Sequence, residues 1–159
     1  MTADVPTLAV ADLHQLTGRE LAPSAWITVD QARIDSFAAC TDDHQYIHVD
    51  PARAAAESPY RTTIAHGFLS LSLLAAHRPA DFPRIADLGL TINYGLDRVR
   101  FLAPVRAGAR VRLLTRVLDA TSKGPGRVLL KQEKTMEIEG EAKPAYVAEQ
   151  LTLFVSSKA

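Results

Sequence analysis

Apolar residues in the first half of the chain recur at the spacing of helices. Ile34, Phe37 and Ala38 stand at positions i, i+3 and i+4, which predicts a helix over residues 29–40 with one buried face. Residues 8–16 have the pattern of a shorter amphipathic helix. Both segments are therefore expected to pack one side against a core.

Capping residues mark the start of two helices. Thr28 is followed three residues later by Gln31, which is the spacing of a capping box, so the first of these helices is expected to begin after Thr28. Asp50 and Pro51 suit the N-cap and the first position of a second helix, which extends to about Ala56.

The pattern changes along the second half of the chain. Residues 65–77 are apolar on nearly every side of a helix, which predicts a buried helix. From Leu88 onward apolar and polar residues alternate, which is the period of a strand buried on one face. The predicted strands are Leu90–Tyr94, Val99–Leu102, 110–118, 127–139 and 145–155.

Helices therefore come first, and strands joined by tight turns follow. That order is typical of an α+β domain in which helices lie on one face of an antiparallel sheet. The helix of residues 65–77 is the segment around which such a sheet is expected to wrap. A length of 159 residues without an internal repeat predicts a single domain, residues 1–159.

Composition excludes several classes of protein. Hydrophobic residues make up 47% and charged residues 23% of the chain, as in folded globular proteins. Eighteen basic residues balance eighteen acidic residues, so no basic excess points to nucleic acid. The longest apolar run, Phe68–Ala76, is too short to cross a membrane. The single cysteine, Cys40, and a start without a basic and apolar leader favour a cytoplasmic protein.

The balanced charge hides an asymmetry. Residues 1–97 hold six basic and twelve acidic residues, whereas residues 98–159 hold twelve basic and six acidic residues. The segment from Arg98 to Arg116 contains six arginines and no acid. Three interpretations stay open: binding of phosphate groups by planar guanidinium groups, a solvated face of strands, and attraction between the two halves of the fold.

A polar segment, Thr41–Asp50, interrupts the helical pattern. Asp43 and His48 lie five positions apart within it, and a carboxylate and an imidazole that share one water molecule are suited to proton transfer at neutral pH. Polar connections between apolar elements often carry functional residues. A solvated loop is the alternative interpretation.

A second segment, TTIAHGFLS, lies at the start of the predicted buried helix. Gly67 falls in its first turn, where free N–H groups and a missing Cβ would admit a carbonyl oxygen, as an oxyanion hole does. Close packing is the alternative role for Gly67, and a structural role is the alternative for His66. No metal is expected, because a helical ligand spacing is missing among Asp43, His44, His48, Asp50 and His66.

Residues 37–74, FAACTDDHQYIHVDPARAAAESPYRTTIAHGFLSLSLL, resemble the hydratase motif of the MaoC-like dehydratases. These are the (R)-specific enoyl-CoA hydratases of the hot-dog fold, with a motif that runs through T-G-D, N-P and I-H-x-D to I-A-H-G. Residues 92–112, INYGLDRVRFLAPVRAGARVR, are also similar to the family. The resemblance extends from about Trp26 to the end of the chain and includes the short, nodulation-protein-N-like branch.

The resemblance implies an antiparallel sheet wrapped around a central helix, with a hydratase loop above it. It assigns Asp43 and His48 as the catalytic pair and the Gly67 N–H as the donor to the thioester oxygen. The chain departs from the family with Asp42 in place of glycine, where aspartate tolerates the left-handed backbone, and with Gln45-Tyr46 in place of Asn-Pro. The residues expected to contact the substrate are Tyr46, His66, Phe68, Asn93, Tyr94, Arg98 and Arg100.

The implied activity is hydration of a trans-2-enoyl-CoA to a (3R)-3-hydroxyacyl-CoA, without a cofactor other than the CoA of the substrate. The family acts as a homodimer, and strands 110–118, 127–139 and 145–155 are expected to leave edges that pair between subunits. An acyl-CoA thioesterase and a non-catalytic module that binds acyl-CoA or acyl-carrier protein are the alternatives. No nucleic-acid or membrane partner is expected.

Overall fold

The computed structural model describes residues 5–158, and it has the predicted α+β arrangement. The helices are α1 (Gln31–Thr41), α2 (Tyr46–Val49), α3 (Pro51–Glu57) and α4 (Gly67–Ser72), with 3-10 helices at Val10–Leu16 and Leu73–Ala75. The strands are β1 (Thr7–Leu8), β2 (Glu20–Leu21), β3 (Ile27–Val29), β4 (Arg84–Ile85), β5 (Leu88–Phe101), β6 (Ala109–Ser122), β7 (Arg127–Ile138) and β8 (Tyr146–Ser156). Within residues 5–158, no helix is long and apolar enough to cross a membrane.

The main sheet is antiparallel and has six strands in the order β2-β6-β7-β8-β5, with β3 also paired to β6. The predicted edge strands 110–118, 127–139 and 145–155 lie inside this sheet as β6, β7 and β8, so that prediction was wrong. The open edge is the outer side of β5. This strand of 14 residues contains the predicted strand Leu90–Tyr94 and all but the last residue of Val99–Leu102, and its pairing with β8 continues across register shifts. Alternation identifies the buried face of a strand but not its neighbours, which is why the sequence misplaced the edge.

Two apolar clusters cover the face of the sheet that meets the helices. The cluster around α4 includes Leu69, Leu73, Leu113, Met136 and Tyr146. The cluster around the first 3-10 helix includes Leu13, Leu16, Val117, Leu130 and Phe154. Buried polar residues separate the two clusters on β6 and β7, namely Thr115, Gln132 and Lys134.

Lys134 is an ammonium group placed inside the sheet face. Its Nζ donates a hydrogen bond to the Thr115 hydroxyl at 3.0 Å. Burial lowers the pKa of Lys134 to about 8, because the charged form loses its hydration without gaining a carboxylate among its hydrogen-bond partners in the described chain.

The helix starts confirm one capping prediction and overturn the other. Asp50 accepts a hydrogen bond from the Arg53 N–H and Pro51 is the first residue of α3, as predicted. The first helix begins after Asp30, whose carboxylate accepts from the Arg33 N–H at 2.9 Å. Thr28 instead lies in β3, because pairing with β6 extends the strand past it.

The predicted central helix of residues 65–77 is shorter than expected. It consists of α4 and one turn of 3-10 helix, and only one face of it is buried. Leu69 is 5% exposed, whereas the neighbouring Phe68 is 70% exposed. Phe68 contacts the ring of Phe101 edge-on with centroids 6.0 Å apart, and Leu71 and Leu74 are only partly buried against the core, so this side of the helix is largely open.

Candidate active site

His48 is the buried member of the predicted catalytic pair. It lies in α2, and its Nδ1–H donates to the carbonyl oxygen of Ile64 at 2.7 Å, which leaves Nε2 as the nitrogen with a lone pair. Burial lowers the pKa of His48, and the hydrogen bond to Ile64 opposes that shift. The imidazole is thereby held as a neutral base with a fixed orientation.

Gln31 anchors the segment that carries His48. Its side-chain amide donates to the His48 carbonyl oxygen at 2.7 Å and to the Asp35 carboxylate at 2.8 Å. Its amide oxygen accepts from the Thr63 hydroxyl. Gln31 therefore ties α1, α2 and the strand-like segment before α4 together, instead of completing the capping box that the sequence predicted.

Asp43 directly follows the residue that ends α1. Asp42 caps this helix with φ 58° and ψ 20°, so an aspartate does adopt the left-handed turn expected of it. The Asp43 carboxylate is 55% exposed. One carboxylate oxygen of Asp43 and one ring nitrogen each of His48 and His66 lie within 4.8 Å of one another. One water molecule with hydrogen bonds of about 2.8 Å can bridge such a gap.

His66 lies between the two members of the pair. Its ring stacks on the ring of His48 with centroids 3.8 Å apart, and its Nε2–H donates to the main-chain oxygen of Asp43 at 3.0 Å. Nδ1 of His66 is buried without a hydrogen-bond partner among the described residues.

Gly67 begins α4 beside this cluster. As the first residue of the helix its N–H has no partner in the helical ladder, and the residue is exposed. A Cβ at this position would lie 3.2 Å from the ring of Phe101, so a side chain here would require that ring to shift by a few tenths of an ångström. A cavity of about 380 Å³ contains both His48 and Gly67 in its lining. His48 and Gly67 therefore border one ligand-sized space.

The three groups Asp43, His48 and His66 also form the candidate metal cluster of the described chain. Residues from separate elements assemble it, so the absence of a helical ligand spacing did not exclude it. The two imidazole rings are stacked at an interplanar angle of 25°, and Nε2 of His66 already donates to a carbonyl oxygen. The in-plane lone pairs of two stacked rings run nearly parallel and do not point to one site. This geometry is unfavourable for coordination of a single metal ion.

The remaining substrate contacts predicted from the sequence lie on α2, α4 and β5. Tyr46 is half-buried beneath the guanidinium of Arg53, which lies 4.2 Å from the ring centroid. Phe68 and Tyr94 are exposed, and Asn93 lines a second cavity beside α4. Their contact with substrate stays a prediction.

The arginines of the basic segment divide into paired and unpaired groups. The ion pairs are Arg98–Glu149 at 3.7 Å, Arg110–Glu139 at 2.8 Å and Arg112–Glu137 at 2.6 Å. All three glutamates belong to the same half of the chain as the arginines, and among the described residues the ion pair that joins the two halves is Lys131–Asp97 at 2.8 Å. The Arg98 side chain is 82% exposed, and phosphate binding by Arg98 and Arg100 stays a prediction.

Residues 12–140 match the family model described as the MaoC like domain, and the chain therefore belongs to the MaoC-like dehydratase family. Nodulation protein N of Rhizobium leguminosarum bv. viciae is 49% identical over 146 residues, which cover 92% of this chain and 91% of that protein. The 3-hydroxyacyl-thioester dehydratase Z of Mycobacterium tuberculosis H37Rv is 45% identical over 148 residues, 93% of this chain and 97% of that protein.

Solved structures confirm the hot-dog fold. The R-hydratase PhaJ1 from Pseudomonas aeruginosa superposes with a TM-score of 0.68 at 25% identity, covering 96% of this chain and 86% of that chain. A monoamine oxidase regulatory protein from Archaeoglobus fulgius superposes with a TM-score of 0.74 at 19% identity, covering 96% and 97%, and shows a shared fold alone.

Proposed function

We propose that this MaoC-like dehydratase adds water to trans-2-enoyl-CoA and gives (3R)-3-hydroxyacyl-CoA, and that it catalyses the reverse dehydration at the same site. The observation that carries the proposal is the position of the neutral His48, which lies within 4.8 Å of the Asp43 carboxylate and lines one cavity together with Gly67. The names of the relatives, a 3-hydroxyacyl-thioester dehydratase and an R-hydratase, support the same reaction class.

A single water molecule would hold its two O–H groups toward the pair. One O–H donates to the Asp43 carboxylate and the other to Nε2 of His48, so the oxygen lone pair faces C3 of the substrate. Attack forms the C3–O bond, and the pair takes up the proton that water loses. The pair then returns this proton to C2 from the same face, so the addition is syn and the water is fully consumed.

Negative charge moves to the thioester oxygen as the C3–O bond forms. The unpaired Gly67 N–H donates to that oxygen, and the missing side chain lets the thioester approach the start of α4. One donor of this kind typically contributes about 3 kcal/mol to the transition state. Every step uses groups of this chain, and CoA enters only as part of the substrate.

We further propose that the enzyme acts as a homodimer that encloses acyl-CoA at its subunit interface. The support lies in β5, an edge strand of 14 residues that pairs with β8 on one side and has no strand partner on its other side among the described residues. All the large exposed hydrophobic side chains of the described residues lie on β5, next to its end, or at Phe68. A second copy would cover both the edge and the open face of α4.

A direct assay separates the candidate functions. Crotonyl-CoA is incubated with the protein while loss of enoyl absorbance and release of free thiol are followed in parallel. We expect loss of absorbance without free thiol. Release of thiol would instead indicate the thioesterase, and binding of crotonyl-CoA without either signal would indicate the non-catalytic module.

A further inference from the structure

Three cavities follow one another along α4 and the 3-10 turn after it. The first, of about 380 Å³, contains Gly67 in its lining. The second, of about 250 Å³, lies against the side chains from Phe68 to Ala75. The third, of about 320 Å³, continues from Ala75 to Phe82. We call the second and third cavities together the distal groove.

The proposed reaction determines what occupies this groove, and the inference rests on it. If the thioester oxygen binds at Gly67, the acyl chain beyond C3 leaves the first cavity along α4. The helix rises about 12 Å between Gly67 and Ala75, at about 1.5 Å per residue. The chain therefore reaches the middle of the distal groove only when it extends well beyond the reacting carbons.

The middle of the distal groove is polar. Asn93 of β5 and Gln150 of β8 line both of its cavities, and the Gln150 amide donates to the Asn93 side-chain oxygen at 3.4 Å. Thr91 and Thr152 extend the polar lining of the third cavity. Gln132 lies directly across from Gln150 in the β7–β8 pairing. Amide groups thus form a row across the inner face of the sheet.

An unbranched alkyl chain is a poor match for this lining. It would displace water from the Asn93 and Gln150 amides without replacing the lost hydrogen bonds, which has a free-energy cost. The hydrogen bond between the two amides uses one N–H of Gln150 and the oxygen of Asn93. The other amide N–H groups and the Gln150 oxygen can still bond a ligand. A hydroxyl or carbonyl oxygen on the chain would replace the displaced water.

We propose that Asn93 and Gln150 select acyl thioesters that carry a hydroxyl or carbonyl oxygen on the distal part of the acyl chain. Apolar walls at Leu71, Leu74 and Phe82 bind the methylene groups on either side of that oxygen. The enzyme therefore prefers oxygenated medium-length chains to plain chains of equal length.

The test compares trans-2-decenoyl-CoA with a series of hydroxylated isomers that carry the hydroxyl at successive positions of the distal half. We expect at least one isomer to exceed the plain chain about tenfold in kcat/KM with the wild-type enzyme, the effect of one good hydrogen bond. Gln150→Leu should lower that ratio to about one or below. The matched control is Gln15→Leu, an exposed position on the first 3-10 helix, which should keep the wild-type ratio.

The wild-type preference can overturn the inference even if a variant does not fold. Preference for plain decenoyl-CoA over every hydroxylated isomer, with crotonyl-CoA still hydrated, would overturn the selection by Asn93 and Gln150 and leave the proposed reaction intact. Failure to hydrate crotonyl-CoA would overturn the proposed reaction itself, and this inference with it. An equal ratio in wild type and Gln150→Leu would also contradict the inference.

Discussion

Asp43 and His48 are expected to act as one unit, because both hold the same water molecule. Asp43→Asn removes the negative charge at nearly unchanged shape, and His48→Ala removes the base. Each change should lower kcat for crotonyl-CoA by about 10²–10⁴-fold. The double variant should be little worse than the poorer single variant, since groups that share one step are strongly non-additive.

The control for this prediction is Asp42→Asn. Asparagine also tolerates the left-handed backbone that Asp42 adopts at φ 58°, so this variant should keep most of the activity. A folded Asp43→Asn enzyme with near wild-type kcat, or an inactive Asp42→Asn enzyme, would show that the pair has been assigned to the wrong carboxylate.

His66 is expected to be a positioning residue for Asp43. His66→Gln retains a donor near the place of Nε2, whereas His66→Phe retains the stacked ring and loses the hydrogen bond to the Asp43 main chain. We expect kcat to fall about tenfold or more in His66→Phe and to be largely kept in His66→Gln, with KM little changed in both. A purely structural role would lower thermal stability in both variants without this split between them.

The proximity of Asp43 and Gly67 to His48 was predictable from the sequence because a short motif carries all three, and their catalytic roles stay predictions. The position of Gln31 was not predictable, since its partners His48 and Thr63 lie 17 and 32 positions away and converge on it only in the folded chain. The stacking of His66 on His48 was missed for the same reason: a histidine before a glycine has no local feature that reveals which ring it contacts.

At the scale of elements, Lys134 predicts an unusual dependence of stability on pH. Its pKa falls from 10.5 to about 8 on folding. Between these values the unfolded chain binds a proton that the folded chain has lost, so the free energy of unfolding should rise as pH increases from about 8 toward 10. Below about pH 8 Lys134 is protonated in both the folded and the unfolded chain, so the folded state bears the full free-energy cost of burying the charge.

Lys134→Met should remove this dependence. Methionine fills a similar volume without a charge, so the variant should gain about 2 kcal/mol of stability at pH 7 and show a flatter profile from pH 8 to 10. Urea unfolding across this pH range measures both effects. The matched control is Lys143→Met, because Lys143 is exposed and its substitution should leave the slope in place. A rise with pH that persists in Lys134→Met would assign the titration to another group.

The positions of most helices and strands along the chain were predictable, whereas the order of the strands in the sheet was not. Period-two alternation located β6, β7 and β8, and the cap at Asp50 located α3. The predicted start of α1 was wrong because Thr28, although a suitable N-cap residue, pairs with β6 as part of β3. Local capping energies of about 1 kcal/mol do not decide between two nearby residues when a ladder of backbone bonds favours one of them.

At the scale of the whole molecule, the open edge of β5 predicts self-association. Sedimentation at micromolar concentration should give a species of twice the 17.3 kDa chain mass. Ile92→Lys should shift the protein toward monomer, because it places a charge among the exposed apolar side chains of the edge strand. Thr121→Lys, at the exposed end of β6, is the control and should remain dimeric. A wild-type species of 17 kDa would contradict the dimer.

The polar contacts that hold Asp43 and His48 all come from residues 31–66. The far wall of the distal groove comes from β5 and β8, which are encoded downstream of α4. The groups proposed for the chemistry therefore precede β5 and β8 in the chain, although the first cavity also has residues 101–105 and Ala145 in its lining. Substitutions at Asn93 and Gln150 are therefore expected to change which acyl chains bind while Asp43, His48 and Gly67 stay in place.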